Sequence, residues 1–171
     1  MVRFDIRRVL LIAATLAVAA CASPPTREAM TPTGLTVAKQ HPFSLKVNAE
    51  AGPAGVSDAD LKAAIEAAVM ENRAFKAVVQ GADGSDYELS VSFFSAEKPM
   101  FGASFTVTME AAWSLTKVAD RSVVMRKSVK STGHATMGEA FAGAVRFRMA
   151  LERAIRDNIA QGVSAIGDLK L

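Results

Sequence analysis

The strongest constraint in this sequence is a run of alternating apolar and polar residues at positions 103–116. The apolar side chains occupy every second position: Ala103, Phe105, Val107, Met109, Ala111, Trp113 and Leu115. A period of two residues predicts a β-strand with one buried face and one solvated face. It favours an antiparallel sheet, because parallel strands are usually covered on both faces.

Segments on either side of this run continue the same pattern. Before it, apolar residues alternate at Tyr87, Leu89, Val91 and Phe93; after it, residues 122–131 keep the parity at Val123, Met125 and Val129. The sequence KVAD at 117–120 predicts a tight hairpin between the last two strands. Lys127 interrupts the apolar parity, and charges at such positions are typical of an edge strand. We therefore predict a three-stranded meander whose last strand lies at an edge.

Two segments have the signature of amphipathic helices. Ser57 with Asp60, and Thr136 with Glu139, resemble the capping boxes that begin helices. Apolar residues then recur at helical spacing, first at Leu61, Ala64, Ile65, Ala68 and Val69, and later at Phe147, Leu151, Ala154, Ile155, Ile159, Val163 and Ile166. We predict that the first helix runs to about Phe75 and that the second ends near Gly162 or Gly167.

Another strand is predicted before the first helix, where Phe43, Leu45 and Val47 alternate with polar residues. The predicted order is strand, helix, three-stranded meander, helix. This order favours an α+β fold, a two-layer sandwich in which two amphipathic helices cover one face of an approximately four-stranded, mainly antiparallel sheet.

The amino-terminal 20 residues have the features of an export signal. Three arginines precede an apolar run, residues 9–20, whose only polar member is Thr15. Twelve apolar residues are too few to span a membrane, which needs roughly 20. They match the apolar part of a secretion signal.

The residues that follow, Val18, Ala19, Ala20 and Cys21, resemble the lipobox of bacterial lipoproteins. The resemblance implies cleavage before Cys21 and attachment of acyl chains such as palmitate to that residue. Alternatively, the chain is an ordinary secreted protein with a free Cys21, or the signal is an uncleaved anchor. Ala22 stands where lipoproteins retained in the inner membrane carry aspartate, so the resemblance implies the periplasmic face of the outer membrane, with the inner membrane as the alternative.

Charge and cysteine content narrow the possible functions. Removing residues 1–20 takes away three arginines and one aspartate, which lowers the formal net charge from +3 to +1. A net charge this close to zero argues against nucleic acid as the partner, because binding to phosphates requires a concentrated basic surface. Cys21 is the only cysteine, so no internal disulfide or cysteine-based metal site is possible.

The mature chain divides into two parts. Residues 21–42 contain four of the six prolines and show no apolar periodicity, which predicts a flexible tether. Residues 43–171 form the single predicted α+β domain.

The sequence contains only isolated candidates for catalytic residues. His134 lies in a predicted loop near Ser128 and Ser131, without the motif of a serine hydrolase. Glu88 and Glu110 lie on the predicted solvated face of the meander. A glycosidase needs two carboxylates on either side of one cleft, and a solvated sheet face accounts for these two residues without one. We predict no catalytic residue, no cofactor and no metal site.

Binding features are more distinct. Met100 and Phe101 lie near the tip of the predicted connection between two strands, where polar residues are expected, and they are our candidate partner-binding residues. Four arginines lie on the last helix, at positions 146, 148, 153 and 156. They either attract anionic lipid headgroups or an acidic partner, or form ordinary ion pairs with Glu152 and Asp157 on a solvated helix face.

In layout the chain resembles small lipoproteins that assist envelope assembly or transport in Gram-negative bacteria. The resemblance implies a non-catalytic accessory or adaptor protein, with the membrane and an envelope protein as its partners. The alternatives are a carrier of lipid or another hydrophobic ligand between helices and sheet and, third, a hydrolase that uses His134.

Overall fold

The structure, a computed structural model, describes residues 23–81, 84–99 and 102–171. Its elements in chain order are α1 (Arg27–Met30), β1 (His41–Glu50), a 3₁₀ turn (Gly52–Ala54), α2 (Asp58–Glu71), β2 (Phe75–Val78), β3 (Tyr87–Glu97), β4 (Phe105–Lys117), β5 (Val123–Ala135) and α3 (Gly143–Gly167). None of the helices within those ranges has the length and apolarity needed to cross a lipid bilayer.

The strands form one open sheet in the order β2-β1-β3-β4-β5. β1 runs parallel to both of its neighbours, whereas β3, β4 and β5 form an antiparallel meander. The predicted α+β class is therefore confirmed. The expectation of four mainly antiparallel strands is corrected to five strands in a mixed sheet.

The meander has the faces that the alternating pattern predicts. In β4 every apolar residue from Phe105 to Leu115 at odd positions is buried, and in β3 the same holds from Tyr87 to Phe93. β5 pairs only with β4, so it lies at an edge of the sheet as predicted.

β2 is the strand that the sequence pattern did not reveal. We expected the first helix to continue to about Phe75, but α2 ends at Glu71 and Phe75 begins β2. Arg73 lies in the left-handed region, with φ of 53°, and Ala74 N–H donates to the carbonyl of Val69. This conformation ends a helix and usually requires glycine, so Arg73 gave no stop signal.

The start of the last helix also differs from the prediction. Thr136 and Glu139 form a turn in which the Thr136 N–H donates to the Glu139 carboxylate at 2.9 Å, and α3 begins only at Gly143. The capping-box interpretation was correct for the earlier helix, where Ser57 Oγ accepts from the Asp60 N–H at 3.0 Å.

α3 packs very close to β4 and β5, because a glycine occupies each of two positions where the helix and a strand come into contact. A Cβ atom on Gly133 of β5 would overlap the backbone of Ala150 and Ala154. A Cβ atom on Gly162 of α3 would overlap the indole ring of Trp113.

A buried asparagine joins α3 to both of these strands. Trp113 Nε1 donates to Asn158 Oδ1 at 2.9 Å, and Asn158 Nδ2 donates to the carbonyl of Val129 at 2.8 Å and to Ser131 Oγ at 3.2 Å. Because Asn158 is fully buried, these bonds satisfy polar groups that water cannot reach.

Much of the segment predicted as a tether packs on the domain. Met30 is fully buried, Thr26 N–H donates to Glu152 Oε1 at 3.0 Å, and His41 is buried with Nε2 2.9 Å from the Ile166 carbonyl. Asn72 holds the same segment by donating to the Pro32 carbonyl at 3.0 Å. Residues 26–42 thus differ from the predicted free coil, because a few side chains without periodicity dock against α2 and α3.

Candidate docking surfaces

The strands of the sheet end on two opposite sides of the domain, and different side chains lie at each of these two ends. At the hairpin end, which we define by the β4–β5 connection at 117–122, Val118 N–H donates to the Asp86 carbonyl and Asp86 bonds to Ser44 at the start of β1. The carboxyl terminus of α3 lies at this end too, since Ile166 contacts His41. The opposite end, where α3 begins, is called the Phe141 end.

Arg146 organises the Phe141 end. Its Nη1 atom donates to the carbonyls of Ala140 at 2.9 Å and Phe141 at 2.5 Å, and its guanidinium lies 5.6 Å from the centre of the Phe105 ring. Only 5% of Arg146 is exposed. A buried cation that bonds to two successive carbonyls fixes the backbone of the loop that precedes α3.

Two large apolar side chains project from the loop that Arg146 holds. Phe141 is 92% exposed and Met137 is 51% exposed. The sequence pattern indicated neither side chain, because Thr136 and Glu139 predicted a helix that begins at Thr136 and contains both. One signal was present in the sequence: Met137 and Phe141 are the only large apolar residues in 136–142, among threonine, glycine, alanine and glutamate.

The same loop is held from its other side by an ion pair. Arg153 Nη2 donates to Glu139 Oε1 at 2.6 Å, and the Thr136 N–H donates to the second carboxylate oxygen. The Arg153 guanidinium and the Thr136 N–H lower the pKa of Glu139 from 4.5 to about 2. Both contacts favour the ionised carboxylate, so the turn is strengthened while Glu139 is charged.

The edge strand β5 has a second exposed surface in its first half, residues 123–128. Five of these six residues are exposed and Met125 is half-buried, whereas the second half of the strand alternates between buried and exposed residues. Val123 is 49% exposed. Side chains of α3 donate to the carbonyls of Val129, Lys130 and His134, so the helix engages the second half of β5.

Positive charge is concentrated around this first half. Residues 117–130 contain five basic side chains, Lys117, Arg121, Arg126, Lys127 and Lys130, and one acidic side chain, Asp120. All six are exposed. The hairpin end and the adjoining half of β5 are thus basic, with valines between the charges.

Three of the residues singled out in the sequence lie outside the described part of the chain. They are Cys21, the predicted lipidation site, and Met100 and Phe101, the predicted partner-binding pair. Gly102, which directly follows Phe101, lies at the Phe141 end, where its carbonyl is 3.4 Å from Arg146 Nη2.

The candidate hydrolase residues do not come together. His134 is part of β5 rather than a loop, and its Nδ1 atom is 3.0 Å from Thr106 Oγ1 on the solvated face. Ser131 is buried on the opposite face, and Ser128 lies six residues along the strand, about 20 Å away.

The two carboxylates of the meander are also separate. Glu88 accepts from Asn48 Nδ2 and Glu110 accepts from Ser128 Oγ at 2.6 Å. Glu88 pairs with Thr116 across the sheet, six residues along β4 from Glu110. Among the described residues, no group of three histidine, cysteine or acidic side chains is placed to hold a metal ion.

The four arginines of α3 do not form one cluster. Arg146 is buried at the Phe141 end, Arg148 lies 4.0 Å from Glu152, and Arg153 pairs with Glu139. Arg153 and Arg156 line a surface cleft of about 530 Å³ beside Thr31 and Thr132. Two of the four arginines, Arg148 and Arg153, thus form individual ion pairs, Arg146 bonds to backbone carbonyls, and the four together do not make a single anion-binding patch.

The space between helices and sheet, which the carrier alternative would need, is filled by side chains. Its largest fully buried members include Trp113, Phe75, Met30, Ile155 and Ile159. The 530 Å³ cleft lies outside this core and is lined mainly by polar residues.

The arrangement of helices and strands is similar to that of several solved bacterial structures. No protein-family model and no curated protein sequence matches the chain. A crystal structure of a DUF330-family protein from Xanthomonas campestris is similar, with a TM-score of 0.57 at 18% identity over 82% of this chain and 94% of that one. The likeness is one of fold.

Two further solved structures have the same fold. A PelC dodecamer from Paraburkholderia phytofirmans has a TM-score of 0.52 at 14% identity and covers 81% of this chain and 96% of its own. A minor lipoprotein from Acinetobacter baumannii has a TM-score of 0.50 at 10% identity, covering 78% of this chain and 93% of its own.

Proposed function

We propose that this protein is a lipid-anchored, non-catalytic accessory protein of the bacterial envelope whose β5 edge docks a partner protein. The observation that carries the docking proposal is the exposed, basic first half of β5 at residues 123–128. The anchor is supported by the lipobox-like residues ending at Cys21, and by the presence of a lipoprotein among the solved structures with this fold.

An edge strand can bind an extended segment of another protein by adding it to the sheet. Backbone hydrogen bonds then supply affinity, and the side chains that flank them supply specificity. β5 pairs with β4 on one side only, and its first half is solvent-exposed, so this edge is accessible to a further strand.

The charge around this edge favours an acidic partner segment. The mature chain has a formal net charge of only +1, yet residues 117–130 carry five basic side chains and one acidic side chain. Such a local excess attracts acidic surfaces and speeds their association at low ionic strength. Val123 and Val124 provide apolar contact between the charges.

The anchor proposal is tested by metabolic labelling with palmitate. We expect the wild-type protein to be labelled and to sediment with membranes, and the Cys21→Ser variant to be neither labelled nor membrane-bound. An unlabelled wild-type protein would overturn the anchor.

The outer-membrane location is tested by one substitution next to the anchor. Ala22→Asp introduces the residue that marks inner-membrane retention in the lipoproteins this chain resembles. We expect the wild-type protein in the outer-membrane fraction and the variant in the inner-membrane fraction. Recovery of both in the inner membrane would contradict the location.

The docking proposal is tested by photocrosslinking in cells. A crosslinking side chain at Val123 should capture a partner, and one at Met70 should not, although Met70 on α2 is similarly exposed at 45%. Adding Lys127→Glu should abolish the Val123 product. The same products at both sites, or a product insensitive to Lys127→Glu, would count against an acidic segment at this edge.

Met100 and Phe101 remain a separate prediction. A crosslinker at either position should capture the partner if their loop takes part, and Phe101→Asp should then produce an envelope defect. Capture at Val123 alone would restrict docking to the β5 edge.

A further inference from the structure

We propose that the Phe141 end of the domain rests on the lipid bilayer, with the side chains of Phe141 and Met137 in the interfacial layer of the membrane. This orientation rests on the lipid anchor proposed at Cys21. It adds a defined membrane-contacting surface and places the hairpin end, with its basic edge, away from the membrane.

The position at which the domain holds the amino-terminal segment limits where an anchor can be. Thr26 is fixed to Glu152 by a 3.0 Å hydrogen bond, and Cys21 precedes Thr26 by five residues. Five residues span at most about 17 Å when fully extended. Cys21 therefore lies within that distance of Thr26.

This distance discriminates between the two ends of the domain. Glu152 is nine residues from Gly143, the first residue of α3, and fifteen residues from Gly167, the last. At 1.5 Å per residue these are about 14 Å and about 22 Å along the helix axis. An anchor at Cys21 can lie level with the Phe141 end and falls short of the hairpin end.

The course of the chain points the same way. From Thr26 at Glu152, the segment continues past Thr31 beside Asp157 and reaches Val37 beside Gly167, so it runs along α3 toward the hairpin end. From Val37 back to Thr26 the chain therefore runs toward the Phe141 end, which is the direction in which the residues before Thr26 are approached.

The surface presented at that end suits an interface between water and lipid. Phe141 is 92% exposed, although Arg146 is buried and bonded to its backbone. The loop therefore holds an aromatic side chain outward in a fixed conformation, so its insertion requires little ordering of the backbone. Aromatic and other apolar side chains at such positions contact the headgroup and acyl boundary.

The experiment uses the full lipidated protein in vesicles of phosphatidylethanolamine and phosphatidylglycerol. Because Cys21 is the only native cysteine and is blocked by lipid, Phe141→Cys or Met137→Cys supplies a single free thiol for an environment-sensitive dye. We expect a several-fold rise in dye emission, and quenching by nitroxide-labelled acyl chains, at both positions. Val123→Cys, whose native residue is 49% exposed against 51% for Met137, serves as the matched control and should show neither effect.

Each other outcome has a distinct meaning. A lipidated protein whose dye at position 141 stays in water overturns this orientation and leaves the anchor intact. Shielding of the dye in native membranes but not in pure lipid vesicles identifies a protein as the occupant and also overturns it. Absence of lipid on Cys21 overturns both the anchor and the orientation.

Discussion

Arg146 and Phe141 are joined by a 2.5 Å hydrogen bond from a buried guanidinium to the carbonyl of the most exposed large apolar residue in the described chain. The pairing couples the interior of the domain to a surface loop. The same Arg146 Nη1 atom also donates to the Ala140 carbonyl, so the guanidinium holds two successive carbonyls of the loop.

Replacing Arg146 by methionine should destabilise the domain. The aliphatic part of the side chain is kept, but the carbonyls of Ala140 and Phe141 lose their donor, at about 1 to 3 kcal/mol for a group that becomes unsatisfied. We expect a loss of about 2 kcal/mol in urea unfolding. Arg156→Met, on the exposed face of the same helix, should change stability by less than about 0.5 kcal/mol. Equal effects of the two substitutions would contradict the role of the Arg146 contacts.

Gly133→Ala should force α3 away from β5. The added Cβ would overlap the backbone of Ala150 and Ala154, which cannot move as a single side chain can. Overpacking costs about 1 to 3 kcal/mol, and we expect the upper end of this range or more. Gly138→Ala is the matched control, because its nearest contact would be Thr136 Oγ1 at 3.8 Å; thermal unfolding should show little change or a small gain.

Asn158→Ala should lower the free energy of unfolding strongly, because the Asn158 side chain forms hydrogen bonds with three partners. The substitution leaves the Trp113 indole N–H, the Val129 carbonyl and the Ser131 hydroxyl without the bonds described above. We expect about 3 kcal/mol of destabilisation, with a changed emission spectrum from Trp113, the only tryptophan. Gln161→Ala, one turn along α3, removes an exposed bond to the Lys130 carbonyl, which water can replace, so both measurements should change little.

The Glu139 carboxylate should give a pH-dependent contribution to stability. Its pKa is lowered from 4.5 to about 2 in the folded protein, so the folded state favours the charged form. The stabilisation is present above pH 4.5 and is lost as the pH falls toward 2. The melting temperature of Glu139→Gln should be lower than that of the wild type above pH 4.5 and should converge with it near pH 2.

The partner of Glu139 provides the check. Arg153→Gln removes the ion pair from the other side and should reduce the same pH dependence. If Glu139→Gln and the wild type differ by a constant amount at every pH, the carboxylate does not stabilise the turn by its charge.

The meander could be predicted because its alternating apolar pattern extends over many consecutive residues and depends only on neighbours in the sequence. β4 repeats the period of two from Phe105 to Leu115, and only a strand with one buried face accounts for this. The neighbouring β2 spans four residues, Phe75–Val78, which is too short for any periodicity to emerge. Its parallel place beside β1 follows from packing of the α2 crossover, which adjacent residues do not encode.

The docking surfaces were less predictable than the sheet. Basic residues in β5 indicated an edge, and the exposure of residues 123–128 agrees with that interpretation. The Phe141 loop was hidden because Thr136 and Glu139 form the contacts of a helix start while closing a turn instead. The Glu139 carboxylate is also paired with Arg153 of α3, a contact between distant residues that the local sequence does not encode.

The contact between the first and last parts of the described chain has a mechanical consequence. Because Thr26 is bonded to Glu152 of α3 and Pro32 to Asn72 at the end of α2, tension at the amino terminus reaches these two helices before it reaches any strand. A pull from that side would therefore be borne first by the contacts on α2 and α3, and the meander would carry load only after those contacts part.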